Sequence, residues 1–101
     1  MSFKQLEIRP AARQDFDEAS DWYRDQDPLI RDKFVAAVRN TFTAITQRPL
    51  SFPVVFASTV RRATVGKFPF TVFFRLNAEL IIVVAVFHDK RNPIIWHGRI
   101  D

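Results

Sequence analysis

Residues 60–99 read VRRATVGKFPFTVFFRLNAELIIVVAVFHDKRNPIIWHGR, and the punctuation of this stretch decides the fold. Val60 to Val65 meets a turn at Gly66-Lys67, Phe68 to Leu76 meets another at Asn77-Ala78-Glu79, and Leu80 to Phe87 then runs apolar without a break. Runs of β-branched and aromatic residues between turn formers are the mark of strands. Phe70, Val72 and Phe74 alternate with Thr71, Phe73 and Arg75, as in a strand with two unlike faces. Leu80 to Phe87 is apolar on both faces, which predicts an interior strand. The stretch therefore reads as a three-stranded antiparallel meander.

Working outward, Phe3, Gln5 and Glu7 alternate with Lys4, Leu6 and Ile8, a period-two signal for a first strand closing at Pro10. Pro10 is a natural first helical residue, and Ala12, Phe16, Ala19 and Tyr23 recur on one helical face with Trp22 beside them. Asp27-Pro28 repeats the start signal, a capping oxygen followed by a preset φ. The second helix carries Ile30, Phe34, Val38, Phe42 and Ile45 on one stripe and stops before Pro49. So short a connector predicts an antiparallel helical hairpin. Pro49 to about Ser58 reads as a loop. The expected architecture is α+β, with an N-terminal strand, a helical hairpin packed on one sheet face, and the meander, the opposite face being left open for function.

The chain of 101 residues is 48% hydrophobic and 26% charged, with eleven phenylalanines and two tryptophans. These proportions fit a single globular domain over residues 1–101, with no internal repeat or linker. The absence of cysteine excludes disulfides, thiol catalysis and Cys-based metal sites, and fits a reducing compartment. No secretion signal is evident and the longest apolar run, Leu80 to Phe87, is far short of the roughly 20 residues a membrane helix needs. A cytoplasmic protein with no membrane association is expected. No metal-ligand spacing or phosphate loop occurs, so no metal or cofactor is expected.

Charge is unevenly placed. The first 48 residues hold eight Lys or Arg and eight Asp or Glu, so the net charge of +4 arises in the remainder. Between Val60 and Arg99 seven cations face only Glu79 and Asp89. A basic sheet points to an anionic partner. No nucleic-acid-reading motif accompanies it, so sequence-specific nucleic-acid binding is not expected, and any general binding would be weak and salt-sensitive.

The element order, together with Val60-Arg61-Arg62, Lys67-Phe68-Pro69-Phe70, Phe73-Phe74-Arg75, Val84-Ala85-Val86-Phe87-His88 and Lys90-Arg91-Asn92-Pro93 followed by Trp96, resembles the RelE/ParE superfamily of type II toxin-antitoxin toxins, in its ParE-like branch. The resemblance implies a toxin of the plasmid-stabilisation kind, neutralised in a hetero-oligomer by a cognate ParD-like antitoxin. RelE-like members cleave mRNA on the ribosome with the help of a tyrosine near the C-terminus. ParE-like members lack that set and act on DNA gyrase. Here the only tyrosine is Tyr23, placed by periodicity on the buried helical face, and the C-terminal tail carries Trp96 instead, which cannot act as a general base. The resemblance thus implies a non-catalytic gyrase inhibitor. The alternatives are a RelE-type endonuclease and a toxin fold that survives as an inactive binding module.

Candidate residues for target binding or activity are Arg61, Arg62, Arg75, His88, Arg91 and Trp96. The arginines could stabilise phosphate charge, and His88 or His97 could shuttle a proton in a metal-free ribonuclease. Each also has a structural reading. In that reading His88 ties a strand end to the next turn, Arg61 and Arg62 point to opposite sheet faces, and Arg75 pairs with Glu79. Trp96 either folds back onto the sheet or meets a partner. For the antitoxin, the aromatic surplus in Leu50-Ser51-Phe52-Pro53-Val54-Val55-Phe56 singles out Phe52 and Phe56, beside exposed apolar residues of the hairpin, while Lys67 and Lys90 would meet acidic residues.

Overall fold

The computed structural model describes residues 5–100. The elements in chain order are β1 (Gln5–Ile8), α1 (Pro10–Gln26), α2 (Pro28–Gln47), a 3₁₀ turn (Pro49–Ser51), β2 (Val54–Phe56), β3 (Val60–Thr64), β4 (Phe70–Asn77), β5 (Leu80–His88) and the single helical turn α3 (Ile94–His97). Five strands form one sheet in the order β1-β5-β4-β3-β2. β1 runs parallel to β5 and the other neighbours are antiparallel. Phe3 and Lys4, expected to open the first strand, lie outside the described residues.

The helical hairpin forms where its start signals stand. Pro10 and Pro28 open the two helices, and the Asp27 carboxylate accepts from the Leu29 N–H at 2.9 Å. Ala12, Ala19, Phe34, Val38 and Ile45 are buried against Ala63, Val65, Val72, Phe74 and Ile81 of the sheet. Tyr23, Phe34, Phe68 and Phe70 form an aromatic cluster with centroids 5.0–6.1 Å apart. Ile30 departs from the expected stripe, being 38% exposed at the start of α2.

Two expectations need correction. The segment read as a loop contains β2, a short edge strand whose Val54 stands opposite Arg61 of β3. Its three residues sit between Pro53 and the turn Ala57-Ser58, too few to show a period in sequence. The sheet face opposite the helices is also not left open. The chain after β5 turns back, and Trp96 of α3 packs on that face with Val60, Val84, Ala85 and Phe87.

A β-bulge makes this second core possible. Phe73 pairs with Ala85 but Phe74 pairs with Val83, so Val84 is the extra residue. Val83 and Val86 consequently face the helices, while Val84, Ala85 and Phe87 face Trp96.

Candidate functional site

β1 ends at Ile8, opposite Val83, so later backbone groups of β5 have no strand partner on that side, and an ion pair satisfies two of them. The Arg9 N–H donates to the Val83 carbonyl at 3.1 Å, closing the parallel pairing. Further along, the Val86 N–H donates to Asp15 Oδ2 at 3.1 Å and Arg99 Nη1 donates to the Val84 carbonyl at 3.1 Å. The two side chains are themselves joined, Nη1 to Oδ2 at 2.7 Å and Nη2 to Oδ1 at 3.2 Å. Asp15 from α1 and Arg99 from the tail thus complete the sheet edge and anchor the turn that carries Trp96. Neither was expected from sequence as a key residue. The available signal was an acid at position 15, on the same helical stripe as Ala12 and Ala19.

Trp96 resolves its two readings in favour of folding back. It is 2% exposed, stacked on Phe73 at 4.2 Å and edge-on to Phe56 at 5.4 Å. His97 is stacked on Phe56 at 3.7 Å, so the tail histidine is half-buried instead of free. Burial withdraws most of the indole of Trp96 from any partner. Its Nε1 nevertheless has no hydrogen-bond partner among the described residues.

The candidate arginines separate. Arg61 lies on the helix side of β3, its Nη1 donating to the Phe52 carbonyl at 2.6 Å and the Leu50 carbonyl at 3.4 Å. That geometry fastens the 3₁₀ turn to the sheet. Arg62 is exposed on the other face, across from Phe73, as the alternation of strand faces requires. Arg75 is half-buried opposite Val60, toward the far end of β4. Arg91 is exposed, its guanidinium carbon 4.2 Å from the centre of the Phe87 ring. A cation over an aromatic face is held in place without losing its charge.

Arg62, His88, Arg91 and Trp96 therefore line one cleft of about 300 Å³ with Thr71 and Asp89. Arg61 and Arg75 are not part of it. The His88 Nδ1 accepts from the Lys90 N–H at 3.1 Å, tying the strand end to the next turn. Thr71 Oγ1 donates to Asp89 Oδ1 at 2.8 Å across the strand ends. Lys67, in the turn after β3, and Lys90, after β5, stand at this same end of the sheet.

Phe52 and Phe56, the antitoxin candidates, are both half-buried. Phe52 sits edge-on to Phe74 at 5.8 Å in the helix-side core, and Phe56 packs in the Trp96 core. The exposed apolar residues of that segment are Leu50 at 67%, Val54 at 44% and Val55 at 44%. An aromatic ring offers more area to bury than a valine, so the phenylalanines turn inward and the smaller residues face out.

Tyr23 is held among Phe34, Phe68 and Phe70 on the helix side of the sheet, where it lines a second cleft shared by His88 and Arg91. Burial raises its hydroxyl above the ordinary phenol range. Among the described residues no cluster of His, Asp and Glu could hold a metal ion.

Residues 6–93 match the family model of the ParE toxin of the type II toxin-antitoxin system parDE. The chain belongs to the ParE toxin family. A solved structure described as the chromosomal ParDE TA system from P. aeruginosa is similar at 20% identity, with a TM-score of 0.76, covering 85% of this chain and 96% of that one. At that identity the likeness concerns the fold alone. Among curated proteins, none matches the sequence.

For a ParE-family chain, the charge pattern now has a structural cause. Several acids of the first half are matched locally, by Arg9–Glu7 at 3.5 Å, Arg13–Asp17 at 3.2 Å, Arg24–Asp21 at 3.3 Å and Arg31–Asp32 at 3.0 Å. Exposed pairs of this kind contribute little stability but cancel the field of the helical layer. The uncompensated positive charge falls at the sheet end that carries Arg62, Lys67, Lys90 and Arg91. No helix among the described residues is long and apolar enough to cross a membrane.

Proposed function

We propose that this ParE-family toxin inhibits DNA gyrase without cleaving a substrate itself, and that a ParD-like antitoxin neutralises it in the cytoplasm. The observation that carries the non-catalytic reading is the placement of proton-transfer groups. A ribonuclease needs a base and an acid beside its cations. The one tyrosine lies in the aromatic cluster, with its hydroxyl pushed up by burial. His88 stands beside Arg91, but its Nδ1 is already occupied by the Lys90 N–H. Trp96 offers a donor only.

For the antitoxin, the helical hairpin supplies an apolar groove of about 280 Å³ lined by Ile8, Phe16, Val35 and Phe42, with Arg13 and Arg39 also in its wall. Such a groove suits the apolar face of a helix whose flanking residues are acidic. Leu50, Val54 and Val55 expose a separate apolar patch at the β2 edge, beside the half-buried Phe52 and Phe56.

Controlled expression in a bacterial host tests the proposal. Growth arrest with DNA-damage signalling and intact transcripts, relieved by co-expression of an adjacently encoded acidic protein, is the expected result. Transcripts cut at defined positions would favour the RelE-type endonuclease, and harmless expression of folded protein would favour an inactive binding module.

A further inference from the structure

Where β5 ends, two clefts meet along His88 and Arg91. One lies on the sheet face away from the helices, measures about 300 Å³, and also holds Arg62, Thr64, Thr71 and Trp96. The other lies toward α1, measures about 460 Å³, and is walled by Trp22, Tyr23, Pro69 and Phe70. His88 and Arg91 line both. We infer that the two clefts together take one unit of an unpaired nucleic-acid strand, its phosphate in the first and its base in the second.

The first cleft is built of donors. Among the described residues no carboxylate engages Arg62 or Arg91, whereas the nearby Arg99 is consumed by Asp15. Asp89 is the one carboxylate in the wall, and it is already held by the Thr71 hydroxyl. Two guanidinium groups without a carboxylate partner in one cleft call for an acceptor-rich anion, and a phosphate supplies it.

The second cleft is built of flat apolar surface. Trp22 is 59% exposed and set edge-on to Tyr23 at 5.1 Å, so its ring stands as a wall without being part of the core. Arg91 between the clefts is steadied over Phe87. A cationic groove beside an exposed aromatic face is how proteins hold unpaired strands without reading sequence, because every base has a face to stack. A duplex keeps its bases stacked inside, which selects an unpaired strand. This inference rests on the reading of this sheet end as the working face of the toxin, and it specifies what that face touches.

The test is fluorescence anisotropy of the purified full chain with labelled 12-residue oligomers of thymidylate and of uridylate, at low and moderate salt. Binding in the micromolar range is expected, weakened at least five-fold by Arg91→Gln and by Trp22→Ala. Arg62→Gln should flatten the salt dependence, and Arg9→Gln, whose guanidinium pairs with Glu7 at the β1 edge, should change nothing. A preference for one oligomer assigns the strand, and equal affinity makes phosphate and base the whole of recognition, so both results uphold the inference. No binding, or binding indifferent to Trp22→Ala in protein shown by circular dichroism to be folded, overturns it. So does inorganic phosphate that competes as strongly, phosphate for phosphate, as the oligomer. Toxicity lost with oligomer binding intact would count against the gyrase reading alone, and toxicity intact with binding absent against this inference alone.

Discussion

Replacing Asp15 should cost more stability than any other single polar substitution in the described chain. Its carboxylate is 6% exposed and takes three hydrogen bonds, from the Val86 N–H and from both terminal nitrogens of Arg99. Asp15→Ala strands the Val86 N–H and leaves the Arg99 charge, itself 22% exposed, without a partner. Removing one member of a buried pair costs about 3–5 kcal/mol, and partial water access to Arg99 places the expected loss near the lower end, about 3 kcal/mol. For a domain of this size that is a fall in Tm of roughly 12–24 °C. Asp15→Asn keeps one acceptor oxygen for the Val86 N–H and loses the charge and one acceptor toward Arg99, so about 1.5–3 kcal/mol is expected. Urea unfolding followed by circular dichroism measures both. The double variant Asp15→Ala/Arg99→Ala should destabilise by clearly less than the two single changes summed, because the side chains share one network. In Arg99→Ala the emission of Trp96 should shift to the red before global unfolding, since its anchor is gone. A loss below about 1 kcal/mol for Asp15→Ala, the level of an exposed pair, would refute the claim that this pair closes the sheet edge.

Three further outcomes follow from the packing. Ala57 and Ser58 sit at φ 53° and 60° in the turn closed by the Thr59 N–H on the Phe56 carbonyl, so Ala57→Asn with Ser58→Gly should stabilise by about 1 kcal/mol in thermal unfolding. Trp96→Ala should cost about 3–5 kcal/mol by emptying the second core, and Trp96→Phe much less, since no hydrogen bond to Nε1 is lost. The raised pKa of Tyr23 makes the folded state hold its proton after the unfolded chain has released it. Its contribution is therefore complete below about pH 10 and is lost as pH climbs from there through the folded value, and Tyr23→Phe should remove that part of the alkaline loss of stability.

The helical hairpin and the meander were legible because each was marked locally. Pro10, Asp27-Pro28 and Pro49 fix the helix limits, and Gly66 and Asn77-Ala78-Glu79 fix the turns. Gly66 adopts φ +50°, a conformation that few other residues accept. The unbroken apolar run of β5 gave its interior place, between β1 and β4. What could not be read is set by distant partners. The parallel pairing of β1 and the anchoring of the tail depend on contacts between residues more than 70 positions apart, such as Asp15 with Arg99, and the bulge at Val84 leaves no mark in an unbroken apolar run. The same holds for the site. Alternation placed Arg61 and Arg62 on opposite faces, but only the three-dimensional arrangement shows that Arg61 fastens the 3₁₀ turn while Arg62 joins His88 and Arg91. Trp22 was read as flanking the core and proves to be mostly exposed.

The account turns on inhibition without chemistry, and a supercoiling assay with purified gyrase, relaxed plasmid and the purified toxin tests it most directly. The expected result is loss of supercoiling that rises with toxin concentration and is weakened by Arg62→Gln and Arg91→Gln, while message on translating ribosomes stays whole. Undiminished supercoiling beside cleaved message would contradict it.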